Sequence, residues 1–394
     1  MKLSRRVAEI NGPAAEDDGW AIYYKARDMR AAGIDVTMLS IGDHDSATPG
    51  FILDRMAASA RAGNTRYAPV NGADDLRAAI AARVSAKTGI ATGPENVFVA
   101  NGGQGALFAA MMAATDPGQD VAIIDPYYAT YPATVRAASC TLRIVPTRPR
   151  NGFQIDPDAL LEATRGVTAM LINTPNNPTG AVYDDTTLGG IRRACLDNDL
   201  WLISDEVYDG QIHEGRHVSP RSLPDMADRT LVIGSLSKSH VMTGFRLGWC
   251  IGPADFIAPL TDLTNATTYG APGFIQDAAT AALTEGTADE AAIAALYTRR
   301  RNLAVDALAG QNAIRVSPPD GAMYVMLDIR ATGRSGEDFA LALLETHHIA
   351  VMPGESFGTA AAGHIRVALT VADDKLARAL GTIATFAQKL AETA

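Results

Sequence analysis

The stretch TLVIGSLSKSHVMTGFRLGW (230–249) joins the pattern of a buried strand to a cluster of polar side chains. Its first six residues are mostly apolar, which favours a strand buried on both faces of a parallel sheet. Ser235, Ser237 and Lys238 crowd the end of this strand, and Arg246 follows eight residues after the lysine. A lysine in an ordinary loop is a solvated charge, but a partly buried lysine near another cation can attack carbonyl groups as a neutral amine.

Strand-like runs of the same kind alternate with amphipathic, helix-like stretches earlier in the chain. The runs are VFVA (97–100), VAIID (121–125), VTAMLIN (167–173) and LWLIS (200–204), and the helix-like stretches are 104–114, 131–139, 156–164 and 185–198. Asp156 followed by Pro157 is a typical start of a helix. This alternation predicts an α/β fold with a mostly parallel sheet and helices on both faces.

Ligands of open parallel sheets bind at the carboxyl ends of the strands, and polar residues follow each of these runs. In NGGQGAL (101–107), Gly103 and Gln104 would let backbone N–H groups approach a phosphate at a helix N-terminus. A turn without a ligand is the alternative. In DPYYATYP (125–132), Tyr128 could stack on a flat ring, although tyrosines in such a place more often serve packing.

Two further strand ends carry an amide and a carboxylate. In NTPNNPTG (173–180), two prolines stiffen the loop and Asn177 can donate through its amide, although turn chemistry alone also explains these residues. In SDEVYDG (204–210), Asp205 closes a strand that should be buried, so its carboxylate needs a cation or strong donors. The alternative role for Asp205 is to cap a following helix.

The length of 394 residues exceeds what one hydrophobic core usually fills, so we expect two domains. From about residue 285 the pattern changes to α+β, with helices predicted at 286–310, 336–347 and 372–391 and strands at 322–329 and 364–370. The predicted division is an N-terminal arm that contributes to the small domain (1–44), a large ligand-binding domain (45–284) and a small C-terminal domain (285–394).

The net charge and the spacing of the cysteines argue against several classes of function and of site. The net charge of −10 and the pI of about 5.2 argue against binding to nucleic acid or to an anionic membrane, but not against small anions. Cys140, Cys195 and Cys250 are widely spaced and form no CxxC, so we expect neither disulfides nor a metal site. With no apolar leader and no run of about 18 apolar residues, a cytoplasmic protein is expected.

These segments, taken in order, resemble the class I/II aminotransferases of PLP fold type I, the aspartate aminotransferase-like superfamily. The resemblance covers about residues 38–370 and rests on NNPTG, SDEVY, SxSK and FRLGW together. It implies a large domain with a mostly parallel seven-stranded sheet, a smaller α+β domain and the cofactor pyridoxal 5'-phosphate (PLP). The implied reaction is ping-pong transfer of an amino group from an L-amino acid to a 2-oxo acid.

The resemblance also implies roles for single residues. Lys238 resembles the lysine that binds PLP as a Schiff base and moves a proton of the substrate. Asp205 resembles the carboxylate that keeps the pyridine nitrogen protonated, so that the ring draws electrons. Tyr208 and Asn177 resemble the donors to the 3'-oxygen, and Tyr128 the aromatic that stacks on the ring.

Further residues match the phosphate site and the substrate site of the family. The phosphate ligands would be Gly103, Gln104, Ser235 and Arg246, with Ser237 as a possible addition and Tyr67 supplied by a neighbouring subunit. If Tyr67 acts in this way, the enzyme is an obligate homodimer. Arg366 matches the arginine that grips the substrate α-carboxylate, with Gly42 and Asn177 beside it.

The chain departs from the family pattern where GDHDS (42–46) replaces the usual G-E-P-D-F, so His44 stands in place of a proline. Some aspartate-specific members also carry a lysine where this chain has Gln104. We interpret His213 and His217 as surface residues without a role. A PLP-dependent β-lyase on the same fold is the alternative function. A non-catalytic binder or a dehydrogenase is disfavoured by the retained Lys238 and by the lack of a GxGxxG motif.

Overall fold

The computed structural model describes residues 2–12 and 19–393. Its strands are β1 (Thr37–Met38), β2 (Val97–Ala100), β3 (Asp120–Asp125), β4 (Thr141–Pro146), β5 (Ala169–Asn173), β6 (Trp201–Asp205), β7 (Thr230–Ser235), β8 (Gly248–Ile251), β9 (Arg315–Ser317), β10 (Tyr324–Asp328), β11 (Ile349–Ala350), β12 (Met352–Pro353) and β13 (His364–Ala368). Its helices are α1 (Arg5–Ala8), α2 (Trp20–Ala31), α3 (Gly50–Arg61), α4 (Asp74–Thr88), α5 (Gly102–Ala114), α6 (Tyr131–Ala137), α7 (Pro157–Ala163), α8 (Asp185–Asp197), α9 (Leu236–Ser239), α10 (Ala254–Ile257), α11 (Leu260–Asn265), α12 (Gly273–Glu285), α13 (Thr287–Ala307), α14 (Gly336–His347) and α15 (Asp373–Ala391).

A seven-stranded sheet forms the centre of the larger part of the molecule, in the order β2-β8-β7-β6-β5-β3-β4. The pairs from β7 through β4 are parallel, and only β8 runs antiparallel to its neighbours β7 and β2. Strands β2, β5 and β7 are buried along their whole length, as their continuous apolar runs predicted. The predicted α/β fold with a mostly parallel sheet is therefore confirmed.

Helices cover both faces of this sheet and begin close to the predicted positions. Two separate apolar clusters line the faces, one containing α5 and one containing α8. Helix α7 starts as the sequence predicted, because the Asp156 side chain accepts hydrogen bonds from the backbone N–H groups of Asp158 and Ala159. Strands β4 and β8 were not predicted.

The remaining part of the molecule has the predicted α+β character. Strands β12, β13, β10 and β9 form an antiparallel sheet, and α13, α14 and α15 pack on the apolar core that this sheet shares with them. The N-terminal segment joins this part, because β1 pairs in parallel with β11. Within the described residues, no helix combines the length and the apolar character required to cross a membrane.

Candidate active site

A cavity of about 250 Å³ opens at the carboxyl ends of the parallel strands. Twelve of the thirteen residues predicted from the sequence line this cavity, although they come from segments up to 324 residues apart. They are Gly42, Gly103, Gln104, Tyr128, Asn177, Asp205, Tyr208, Ser235, Ser237, Lys238, Arg246 and Arg366. The fold thus brings the separate sequence motifs together at the edge of the sheet where ligands of such folds bind.

Lys238 projects into the cavity from the short helix α9, which directly follows β7. Its Nζ atom donates a hydrogen bond to the backbone carbonyl of Gly42. A methyl group at position 42 would come within 1.8 Å of the Tyr324 hydroxyl oxygen, so a larger residue than glycine would force this buried ring to move. The amine is therefore held by a neutral backbone acceptor rather than by a carboxylate.

Asp205 lies at the end of β6 and is 8% exposed. Its Oδ2 atom accepts a hydrogen bond of 2.6 Å from the Tyr131 hydroxyl, and its Oδ1 atom accepts one of 3.3 Å from the Val207 N–H. Burial raises the pKa of Asp205 to about 6, and the Tyr131 hydrogen bond only partly opposes this rise. Tyr131 is a site residue that the sequence analysis left without a role.

One end of the cavity is suited to an anion. Helix α5 begins at Gly102, whose φ of +79° favours glycine, and a methyl group on Gly102 would lie 2.3 Å from the Arg246 guanidinium. Ser235 lies next to Gly103 at this helix N-terminus. The Gln104 side chain is engaged elsewhere, since its Nε2 donates to Thr134 Oγ1 at 2.7 Å. Backbone N–H groups, a hydroxyl and a guanidinium therefore converge here.

The opposite end contains a buried arginine. Arg366 donates from one terminal nitrogen to Asn177 Oδ1 at 2.8 Å and from the other to the Ser40 carbonyl. Its guanidinium lies 4.3 Å from the ring centre of Tyr324 and 4.6 Å from that of Phe357. Within the described residues its buried Nε atom has no hydrogen-bond partner. A carboxylate is the ligand that would complete such a guanidinium.

Two aromatic residues occupy the wall between these ends. Tyr208 is buried, and its hydroxyl lies 3.0 Å from the Tyr324 hydroxyl, beside Arg366. Tyr128 also lines the cavity, and its ring meets that of Tyr131 edge-on with centres 5.6 Å apart. A flat aromatic ligand placed between Lys238 and Asp205 would therefore meet Tyr128 as a wall.

The predictions for Tyr67, His213 and His217 have different outcomes. Tyr67 does not line this cavity: it is 89% exposed, and its ring lies 5.0 Å from that of Tyr269. The interpretation of His213 and His217 as surface residues is wrong. His213 is part-buried between the Thr298 hydroxyl and the Ala322 carbonyl, and His217 is part-buried with its Nε2 atom 3.0 Å from the Glu206 carboxylate.

Comparison with known proteins places this geometry in a family. The model for aminotransferase class I and II matches residues 34–383. The chain belongs to the class I and II aminotransferases. A curated member, the arginine–pyruvate transaminase of Pseudomonas aeruginosa, is 42% identical over 391 residues, which cover 99% of both chains.

Other relatives of this aminotransferase are named for different substrates. The aspartate/prephenate aminotransferase of Thermus thermophilus is 35% identical over 385 residues, covering 96% of this chain and 97% of the relative. A solved structure of the aspartate aminotransferase of Thermus thermophilus with maleate superposes with a TM-score of 0.91 at 33% identity, covering 98% of this chain and all of the other. The predicted fold type and the predicted aminotransferase activity are therefore confirmed.

The family uses PLP, and the cavity of this aminotransferase fits that cofactor. An amine that could bond an aldehyde, a buried carboxylate that could pair with a pyridine nitrogen and a helix N-terminus that could bind a phosphate line one cavity. The protein is thus a PLP-dependent transaminase that moves an amino group between an amino acid and a 2-oxo acid.

Proposed function

We propose that Lys238 binds PLP and that the other residues lining the cavity have separate roles in amino-group transfer. The observation that carries this proposal is the meeting of Lys238, Asp205 and Arg366 in one cavity. When bound, PLP draws electrons away from the α-carbon of the amino acid. Lys238 Nζ, once it is no longer bonded to the cofactor, would take the proton from the α-carbon of the substrate. It would then return that proton to the cofactor carbon that was bonded to Lys238.

Asp205 is proposed to accept the pyridine N–H and to keep that nitrogen protonated. Burial raises the pKa of this carboxyl group, and the hydrogen bonds from Tyr131 and Val207 together with the charge of Lys238 only partly oppose the rise. A protonated ring nitrogen would place a cation beside the carboxylate, so the cofactor and Asp205 should stabilise each other's charge. Tyr208 and Asn177 are proposed as donors to the 3'-oxygen, and Tyr128 as the stacking partner.

The anion-binding end is proposed to hold the cofactor phosphate. Gly103 and Gln104 would contribute backbone N–H groups, and Ser235 and Arg246 would contribute side chains. Ser237, which is buried and also lines the cavity, is an additional hydroxyl within the same region.

Arg366 is proposed to bind the substrate α-carboxylate, with Asn177 and the Gly42 backbone beside it. A carboxylate held in this way is retained, so the bond that becomes reactive is the one from the α-carbon to hydrogen. This supports amino-group transfer. Because a β-lyase would use nearly the same residues, the experiment below includes a test for elimination.

We infer that the preferred donor has no acidic side chain, and L-arginine is the first candidate. Among the described residues, the cationic side chains lining the cavity are Lys238, Arg246 and Arg366, and each already has a proposed partner. No fourth cation from these residues remains for a side-chain carboxylate, and position 104 is a glutamine. The arginine–pyruvate transaminase named above is 42% identical to this chain.

We also infer a cytoplasmic homodimer with shared active sites. The exposed, paired rings of Tyr67 and Tyr269 lie outside the cavity of their own subunit, which supports the proposal that Tyr67 reaches the phosphate of a neighbour. The three cysteines are free and buried, as in proteins of reducing compartments. The pairing of β1 with β11 supports assigning the arm 1–44 partly to the small domain 285–394, beside the large domain 45–284.

The visible spectrum of the PLP-loaded protein tests the function. L-arginine should abolish the visible band, and pyruvate should restore it with one equivalent of L-alanine formed. L-aspartate with 2-oxoglutarate serves as the comparison pair. Release of ammonia and pyruvate from a cysteine conjugate, with no 2-oxo acid present, would instead establish a lyase. A dilution series with Tyr67→Ala in parallel tests the dimer, since active monomers would contradict it.

A further inference from the structure

The backbone of residues 40–42, which leads into the rest of GDHDS (42–46), contacts both side chains that the proposed reaction uses most directly. The Ser40 carbonyl accepts a hydrogen bond from Arg366, and the Gly42 carbonyl accepts one from Lys238 Nζ. A small shift of this backbone would therefore change the position of the amine and of the carboxylate-binding guanidinium together. The contacts that hold this backbone in place should therefore affect the reaction.

His44 attaches this backbone to helix α13. Its Nδ1 atom lies 2.9 Å from the Tyr297 hydroxyl, and the two rings meet edge-on with centres 5.5 Å apart. Burial, reinforced by the nearby charge of Lys238, lowers the pKa of His44 to about 4, so the imidazole is neutral near pH 7. Burial also raises the pKa of Tyr297 well above its usual range. The contact is therefore a hydrogen bond between two neutral groups.

The next residue makes a second attachment to the same helix. Asp45 accepts two hydrogen bonds from Arg300, at 2.8 and 2.7 Å, and Arg300 also donates to Asp373 at 3.0 Å. This ion pair anchors the far end of the segment. His44 lies between that anchor and Gly42, two residues from the carbonyl that holds Lys238.

We propose that His44 is a positioning residue that, through its hydrogen bond to Tyr297, holds the Gly42 carbonyl where it receives the freed Lys238 amine. The inference rests on the proposed role of Lys238. Once Lys238 is no longer bonded to the cofactor, its amine would be free to move a proton. The freed amine would need a fixed acceptor, and the Gly42 carbonyl, which accepts a hydrogen bond from Lys238 Nζ, would be that acceptor. A proline at position 44 has no polar side-chain atom to make the bond.

Two substitutions of His44 separate this role from simple packing. His44→Asn keeps a polar atom where Nδ1 lies, and its amide can accept or donate there, whereas His44→Gln carries its amide out to the position of Nε2. His44→Ala and Tyr297→Phe each remove the bond, and the double variant should be no worse than either alone. Arg299→Ala, on the same helix, is the matched control, because among the described residues the Arg299 side chain bonds to Asp373 alone.

With L-arginine and pyruvate, His44→Ala and Tyr297→Phe should lower kcat roughly fivefold, the factor for one lost neutral hydrogen bond. KM for L-arginine should change less than twofold, because Arg366 is left in place. His44→Asn should recover most of the loss, and His44→Gln should not. Equal activity of all variants, rescue by glutamine but not by asparagine, or a higher KM at unchanged kcat would overturn the proposal.

Hydrogen–deuterium exchange on the cofactor-free protein separates failure of this inference from failure of the proposed function. Peptides covering residues 37–48 should exchange faster in His44→Ala and Tyr297→Phe than in the wild type, and at the wild-type rate in His44→Asn and Arg299→Ala. Unchanged exchange in His44→Ala would overturn the positioning role whether or not L-arginine is a substrate. A wild type inert to every donor would instead overturn the proposed function alone.

Discussion

Replacing Asp205 with asparagine should stabilise the cofactor-free protein while it abolishes catalysis. Burial raises the pKa of Asp205 in the folded protein from the ordinary 3.8 to about 6. Above pH 6 the folded state therefore holds a charge that the unfolded state solvates better, and the fold is destabilised. Asparagine removes the charge but can still accept from the Tyr131 hydroxyl.

The magnitude follows from the difference between the two pKa values. At pH 7.5 a rise from 3.8 to about 6 corresponds to about 3 kcal/mol of lost stability per subunit, the expected gain of Asp205→Asn. At pH 5 the folded carboxyl is mostly protonated, so the gain should fall to about half of that value. Only the charged form of Asp205 destabilises the fold, so this loss of stability disappears as the pH falls towards 4.

Urea unfolding of the cofactor-free variants at a fixed subunit concentration measures this gain at pH 7.5 and at pH 5. The control is Asp209→Asn, a carboxylate on the same loop. Burial raises the pKa of Asp209, but attraction by Arg83 and Lys87 outweighs burial and brings the value to about 2. That control should lose about 2 kcal/mol. An Asp205→Asn protein no more stable than the wild type at pH 7.5, or with a gain unchanged at pH 5, would refute the reasoning.

Three other substitutions test the site. Lys238→Ala should abolish both turnover and the visible band of the PLP-loaded protein; retained turnover would end the assignment. Arg246→Ala should weaken PLP binding by about 1.5–3 kcal/mol, the range for a charged hydrogen bond, as measured by equilibrium dialysis. Tyr131→Phe should raise the pKa of Asp205 further, because a donor to its carboxylate is lost. It should slow turnover roughly tenfold while PLP stays bound, and wild-type turnover would show that the bond is dispensable.

Parallel strands explain why so much of the site could be predicted from the sequence. Such strands are buried on both faces, so each appears as a short continuous apolar run, and its carboxyl end is marked by the first polar residue. Because those ends meet at one edge, Asn177, Asp205 and Lys238 could be assigned to one site from local patterns. The two strands of the seven-stranded sheet that were not predicted lack this signal. Strand β4 is mostly exposed, and β8 has only four residues and begins with a glycine, Gly248.

Contacts between distant side chains were harder to predict. Nothing near Tyr131 in the sequence distinguishes a tyrosine bonded to Asp205 from one that only packs, because the two are 74 residues apart. The same holds for His217, whose partner Glu206 is reached through a loop. His44 was visible as a departure from the family pattern, but its partner Tyr297 lies 253 residues further along the chain. Partners of this kind are determined by the tertiary fold.

The charged groups of the cavity share one property that connects stability with function. Within the described residues, Lys238, Arg246, Arg366 and Asp205 form no ion pair with a protein side chain, whereas Arg300 and Asp209 elsewhere are fully paired. Arg366 and Asp205 are buried, Lys238 is half-buried and Arg246 is exposed. A buried charge without a partner costs stability, and the proposed partners of Arg366 and Asp205 are the substrate carboxylate and the ring nitrogen, while the phosphate is the proposed partner of Arg246. Cofactor and substrate should therefore each raise the unfolding temperature, because each binds to the folded state alone. A protein with internal ion pairs at these positions would be more stable than this one when PLP is absent. Its charged groups would already be paired, however, and could not bind PLP or the substrate.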